Sequence, residues 1–376
     1  MNVRLALFIL SLFGVAGAAV AEEAPTAPAT GSRYAGLLDK MAEARELVAK
    51  TRLATSRVDG GDAILAVWDG TSEGRIDLVT LKRCVSRTPG FTVECPRFNG
   101  VSPDYRVTTP DGYVVLAAKV NVCSERRCRR TKTVAYTPYS AGIHTPETVA
   151  AGRDYLDGLL ARAAAELDER DVASRVVPGS RVTETANARI LLAILIVEHA
   201  RSDKIAELGI RRVVEEVLVV IGANGENAYD HALSHASAKG LAQFIRSSYQ
   251  LTRQRYPAAV LIPDFDRGAA DHGNVVKAQY CLADWTLTSL RQETLADLRL
   301  PLFEEDLGAY VAAAYNGGEK RAAKALYRYP DSWERRGHGL YQETVDYVRA
   351  FREVYRFLNA EPAENDGSLS GQNFDP

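Results

Sequence analysis

The chain has 376 residues, 46% hydrophobic and 25% charged, with 46 basic against 48 acidic side chains and a formal net charge of -2. Such a length predicts two or three domains, and such a composition buries a full core, which excludes a disordered chain. The balanced charge gives no general field for holding a nucleic acid. Five cysteines in 376 residues exclude a disulfide-dense miniprotein.

Residues 1–21 (MNVRLALFILSLFGVAGAAVA) read as a secretory signal peptide. Arg4 opens the segment, Leu5 to Val15 is apolar, and Ala19-Val20-Ala21 is a small-x-small cleavage signal. The apolar run is short for a spanning helix, and no cysteine follows it to carry a lipid. No second segment is long and apolar enough to span a bilayer, so the expected product is exported and unanchored. Residues 22–32 are a Pro/Ala linker, and residues 33–58 carry apolar side chains at helical spacing, an amphipathic helix.

From Gly60 the pattern changes to short β-rich runs punctuated by Asp69-Gly70, Pro89-Gly90, Asn99-Gly100 and Asp111-Gly112. Residues 60–140 therefore read as a small antiparallel β domain. Four cysteines fall in it: Cys84, Cys95, Cys123 and Cys128. In an oxidising compartment they predict two disulfides with three possible connectivities, of which the local pairs Cys84–Cys95 and Cys123–Cys128 are favoured. Their spacings of 11, 28 and 5 lack the paired CxxC of a zinc site. Cys281, in the apolar helical context AQYCLADW, reads as a buried thiol. The basic run SERRCRRTK (124–132) reads as a solvated hairpin turn, or else as a contact for an anionic polymer.

Residues 147–179 form a helical connector, helices dominate 180–358, and the polar, acidic stretch 361–376 reads as a disordered tail. The fold class is α+β, with a small antiparallel β N-terminal domain and a mainly α C-terminal one.

Three segments bear on chemistry. In ANARILLAILIVEHA (186–200), Ile190 to Val197 is apolar on all sides, so the helix is buried and Glu198 continues its buried face. A carboxyl there loses solvation, its pKa rises, and it can serve as a general acid near neutral pH. Gly240 permits close backbone approach ahead of Gln243, which offers both a donor and an acceptor. An Ala-rich helix ends at Tyr315-Asn316-Gly317-Gly318. Read singly, these are also a helix-end Glu, a loop-to-helix junction and a helix stop.

In order and content the segments resemble the catalytic domain of lytic transglycosylases in the lysozyme-like superfamily. An apolar helix ends in the catalytic Glu (LLAILIVEHA). A G-L-M-Q-like strip follows (Gly240-Leu241-Ala242-Gln243-Phe244), then an A-Y-N-x-G strip (Ala314 to Gly318), then E-T-x-x-Y-V (Glu343 to Val348). The likeness covers about 180–358 and departs from the family at His199, where Ser is usual, and at Ala242, where Met is usual. The gap from Glu198 to Gly240 is also larger than in common members, which leaves Glu226, Glu215 and Glu216 as competing acids.

The resemblance implies cleavage of the β-1,4 bond between N-acetylmuramic acid and N-acetylglucosamine with formation of a 1,6-anhydro end. Glu198 acts as acid and then base, Gln243, Tyr315 and Asn316 line the cleft with Gly240, and Tyr347 orients the Glu. No metal or cofactor is implied, and Asp264, Asp266, Asp271 and His272 match no metal loop. The implied partner is the peptidoglycan glycan strand, met in a Gram-negative periplasm, with no nucleic acid. The β domain is a candidate for docking to the glycan or a periplasmic protein. A lysozyme-like hydrolase and an inactive wall-binding or scaffold protein remain as alternatives.

Overall fold

A computed structural model describes residues 36–55, 58, 61–71, 74–95, 104–200, 202–299 and 303–360. The signal peptide, the linker, the acidic tail and the Asn99-Gly100 turn lie outside them. The architecture is mixed α+β, with an N-terminal antiparallel sheet and a largely helical remainder.

The first helix, α1 (Leu37–Lys50), is followed by β1 (Ala63–Trp68), β2 (Ile76–Lys82), β3 (Val85–Ser86), β4 (Thr92–Glu94), β5 (Arg106–Thr109), β6 (Val114–Cys123) and β7 (Thr131–Tyr136). Five strands make an antiparallel sheet in the order β3-β2-β1-β6-β7, and β4 pairs with β5 separately. Strand β1 reads AILAVW without alternation because both its faces are covered. Ile64, Ala66 and Trp68 meet Leu37, Met41, Ala44 and Val48 of α1. Ala63, Leu65 and Val67 meet Val93, Tyr105 and Val107 of the small sheet. Burial of Leu37, Met41 and Val48 contributes roughly 1.5–3 kcal/mol each. A bulge sets Ala66 opposite Ala117 but Val67 opposite Val115, so Leu116 and Ala117 both point at the α1 side.

The cysteine expectation is half met. Cys123 and Cys128 are joined across the β6–β7 hairpin, but Cys84 and Cys95 are not bonded to each other. Cys84 sits in the two-residue β2–β3 turn, where its N–H donates to Gly61 O at 2.6 Å. Cys95 follows β4 in the other sheet and packs on the cluster between the sheets. Nearness in sequence is lost because a hairpin turn and a change of sheet intervene. Cys281 is fully buried, and burial pushes its thiol up.

Among the described residues twelve more α-helices follow: α2 (Pro146–Glu169), α3 (Val182–Thr185), α4 (Ala188–Val197), α5 (Ser202–Leu208), α6 (Ile210–Asn224), α7 (Arg246–Arg255), α8 (Phe265–Ala270), α9 (His272–Leu287), α10 (Gln292–Leu298), α11 (Glu304–Gly317), α12 (Glu319–Arg328) and α13 (Gln342–Asn359). Thr145 and Thr148 form a capping box that starts α2. Where α2 crosses α6, glycines let the backbones meet: a Cβ on Gly152 would lie 2.0 Å from Leu218 O, and one on Gly222 would lie 2.3 Å from Thr148 O. Helix α4 lies inside the bundle, with Ile190 to Val197 all buried, and Gln279 of α9 donates to Leu191 O at 3.2 Å.

The β layer and the bundle share a core, since Val219 and Ala223 of α6 complete the cluster under α1. Asn224 fastens the junction by accepting from Thr137 N at 2.8 Å and donating to Thr137 O at 2.9 Å. Among the described residues no helix is long and apolar enough to cross a membrane.

Candidate active site

Helix α4 begins with Asn187, whose side chain accepts from Arg189 N, and ends at Glu198. A helix buried all round delivers its last carboxyl into the protein. Burial pushes Glu198 up to about 8, and the negative charge of Glu343 adds to the rise. Tyr347 of α13 acts the other way, because its Oη donates to Glu198 Oε1 at 2.6 Å and so favours the ionised form. Burial and Glu198 hold the Tyr347 phenol far above its ordinary value, so it stays a donor. Oε2 of Glu198 has no protein hydrogen-bond partner among the described residues.

A cleft of about 470 Å³ opens beside this carboxyl. The neighbours of Glu198 in sequence, Val197 and Ala200, line it with Tyr347, Asn316, Glu343 and Asp346. Asn316 ends α11 exposed, and its Oδ1 accepts from Thr344 Oγ1 at 2.8 Å, which leaves its amide hydrogens for a ligand. Asp346 is engaged by Arg349 at 3.0 Å and Gln342 at 2.9 Å. Two carboxylates, Glu343 and Asp346, thus stand with Tyr347 at the cleft.

The glutamine strip is held against this site from two sides. Tyr315 of α11 donates to Ala242 O at 2.5 Å. His199 bonds Leu241 O at 2.7 Å through Nε2, which carries the hydrogen because a carbonyl only accepts. The His199 ring stacks on Tyr229 with centroids 3.5 Å apart, and burial pushes it down to about 4, so it is a neutral strut. Gly240 has φ 72, and a Cβ there would lie 2.1 Å from Ala269 O, so glycine is required on both counts. Gln243 is turned back on its own loop, its Nε2 donating to Gly240 O at 2.8 Å.

The competing acids lie elsewhere. Glu226 is exposed on the short turn Gly225–Asn227. Glu215 pairs with His144 and Arg211, and Glu216 with Lys204 and Arg212. Asp264 and Asp271 cap α8 and α9, Asp266 pairs with Lys239 and Arg246, and His272 bonds Tyr155 and Ala228 O. Arg126, Arg127, Arg129 and Arg130 of the basic run are exposed on the β6–β7 hairpin.

Sequence reasoning missed the role of His199, which it met only as a departure, and of Glu343, which it met only as part of a strip. The stack on Tyr229 joins positions 30 apart with helices α5 and α6 between them and leaves no periodic signal. The chain matches no family model, no curated protein and no solved structure. Fold and site define an α+β protein in which Glu198, pushed up by burial, stands beside a cleft lined by Asn316, Glu343, Asp346 and Tyr347.

Proposed function

We propose that the chain is a peptidoglycan lytic transglycosylase whose helical part is lysozyme-like and whose acid is Glu198. The observation that carries this reading is the carboxyl at the end of buried α4, hydrogen-bonded by Tyr347 at 2.6 Å, and burial pushes it up to about 8. Segments 198–199, 240–244, 315–316 and 343–347, far apart in sequence, meet around it through the Tyr347, Tyr315 and His199 contacts.

Glu198 gives its proton to the glycosidic oxygen as the bond to muramic C1 breaks. The carboxylate then takes the proton of the 6-hydroxyl, whose oxygen closes on C1 to give the 1,6-anhydro end. No water is consumed, and the carboxyl is restored. Asn316 and the Gln243 loop position the sugars. The site of action is the periplasm, and the β layer docks the chain to glycan or a partner protein.

The test is digestion of purified sacculi with the mature protein and with Glu198→Gln, reading soluble products by mass. Anhydro products from the wild type alone support the reading. Products one water heavier, about 18 mass units, indicate a hydrolase instead, with Glu343 at the cleft as the candidate base. Binding without products indicates a scaffold.

A further inference from the structure

A second cavity, of about 680 Å³, runs along α12. It abuts the first: Asn316 and Gln342 line the cleft beside Glu198, and their neighbours Gly317 and Tyr341 line this one. Helix α12 (EKRAAKALYR) buries Ala322, Ala323 and Ala325 and turns Lys320, Lys324 and Arg328 outward, four residues apart, in one stripe. All three line the cavity and are exposed, and none is ion-paired with a carboxylate of a described residue. Like charges four apart on a helix repel one another, and no carboxylate of a described residue offsets that cost, Arg328 lying only over the Tyr329 ring at 5.4 Å from its centre. Glu319 is the one acid in the lining.

The fourth cation of the cavity is employed differently. Arg321 donates to Gly339 O and to Tyr341 Oη and lies 3.7 Å from the centre of the Tyr341 ring, closing one end. Tyr329 and His338, stacked with centroids 4.4 Å apart, give the cavity a flat wall of rings. Eight residues of helix separate Lys320 from Arg328, a row about 12 Å long. That is the extended reach of three or four peptide residues.

We infer that the α12 cavity binds a short acidic peptide carried as a substituent on the glycan strand seated beside Glu198. Its carboxylates lie along Lys320, Lys324 and Arg328, and its aliphatic parts lie on the Tyr329–His338 wall. This inference rests on the glycan-cleaving reading for its geometry. A strand in the first cleft projects its substituents past Asn316 and Gln342 into the second. The length of the row and the flat wall favour a peptide over an extended polyanion.

The test uses the full mature chain in the Glu198→Gln background, so that binding is read without cleavage. The probes are stem-bearing glycan strands, the same strands stripped of peptide by an amidase, and a free stem tetrapeptide. The charge reversal Lys320→Glu with Lys324→Glu alters exposed side chains only, and Lys320→Arg with Lys324→Arg keeps the charge. Reversal weakens binding of stem-bearing strands at least tenfold more than that of stripped strands and abolishes tetrapeptide binding, while the arginine pair retains both. Equal loss on both strands, or no loss, overturns the inference. The strands are digested in parallel with Glu198 intact: a chain that binds the tetrapeptide through these lysines but then cleaves no strand overturns the catalytic reading alone. A chain that cleaves strands yet binds stem-bearing and stripped ones alike overturns this one alone.

Discussion

Tyr347 and Glu198, 149 residues apart, are joined by a 2.6 Å hydrogen bond in which the phenol donates and the carboxyl accepts. The bond uses Oε1 and leaves Oε2 to carry the proton. Burial raises the carboxyl and the phenol lowers it, and the balance stands at about 8. A general acid is useful when it is still protonated at the working pH and can leave as carboxylate afterwards.

The pH dependence of cleavage follows. Activity that requires protonated Glu198 falls as pH rises through about 8. Glu198→Gln abolishes it at every pH. The stability sign is opposite to that of a paired carboxylate. Between the ordinary 4.5 and about 8 the folded chain binds a proton that the unfolded chain has released, so stability falls as pH rises through that window. Thermal unfolding at pH 9 should show Glu198→Gln more stable than wild type by about 1–3 kcal/mol. A variant no more stable at that pH would sink the burial argument.

Tyr347→Phe removes the contribution that favours the ionised carboxyl. The descending limb of the rate profile should move to higher pH, above about 8. The rate at neutral pH should drop roughly 10–100-fold through lost positioning. A drop with no movement of the limb would assign Tyr347 to the fold alone.

How much of this was legible in the sequence depends on whether the signal was local. The eight-residue apolar run ending at Glu198 shows in composition alone, and a buried helix with a terminal carboxyl follows from it. The strands and the Cys123–Cys128 hairpin were equally local. Cys84 and Cys95 were misjudged because sheet membership is decided by pairing partners far away, β3 going with β2 and β4 with β5. The α12 row of Lys320, Lys324 and Arg328 drew no reading from the sequence, because only the fold sets it beside the cleft. Asp284 gave no signal at all. It reads as a polar residue in an ordinary helix, yet it is fully buried and accepts from Ser174, Arg175 N, Thr185 and Tyr256.

Two half-buried imidazoles make the fold sensitive to acid. Burial pushes both His199 and His231 down to about 4, from an ordinary 6.5. Between those values the unfolded chain binds protons that the folded chain refuses. The stability they allow is fully present above 6.5 and is lost as pH falls toward 4. Each group accounts for about 1–2 kcal/mol after allowance for partial solvent reach. Denaturant unfolding at pH 7 and pH 4.5 checks the sum, and His231→Gln should shrink the difference. An unchanged difference would place the acid lability elsewhere.

Asp284 predicts the largest effect of a near-isosteric change. Four donors converge on its carboxylate, among them Tyr256 Oη at 2.6 Å and Ser174 Oγ at 2.7 Å. Asp284→Asn keeps the shape but replaces one acceptor oxygen with a donating NH2, which must face a hydroxyl or an N–H already donating. A buried unsatisfied donor costs about 1–3 kcal/mol, and a lost bond to a charged acceptor adds about as much. Unfolding free energy should therefore fall by roughly 3–5 kcal/mol. Asp284 ties the 174–185 loop and α7's end to α9, so amide exchange should speed up first at Arg175 and Tyr256 and leave the Glu198 end of α4 unaffected. A loss below about 1 kcal/mol would mean that the hydroxyls simply rotate to accept.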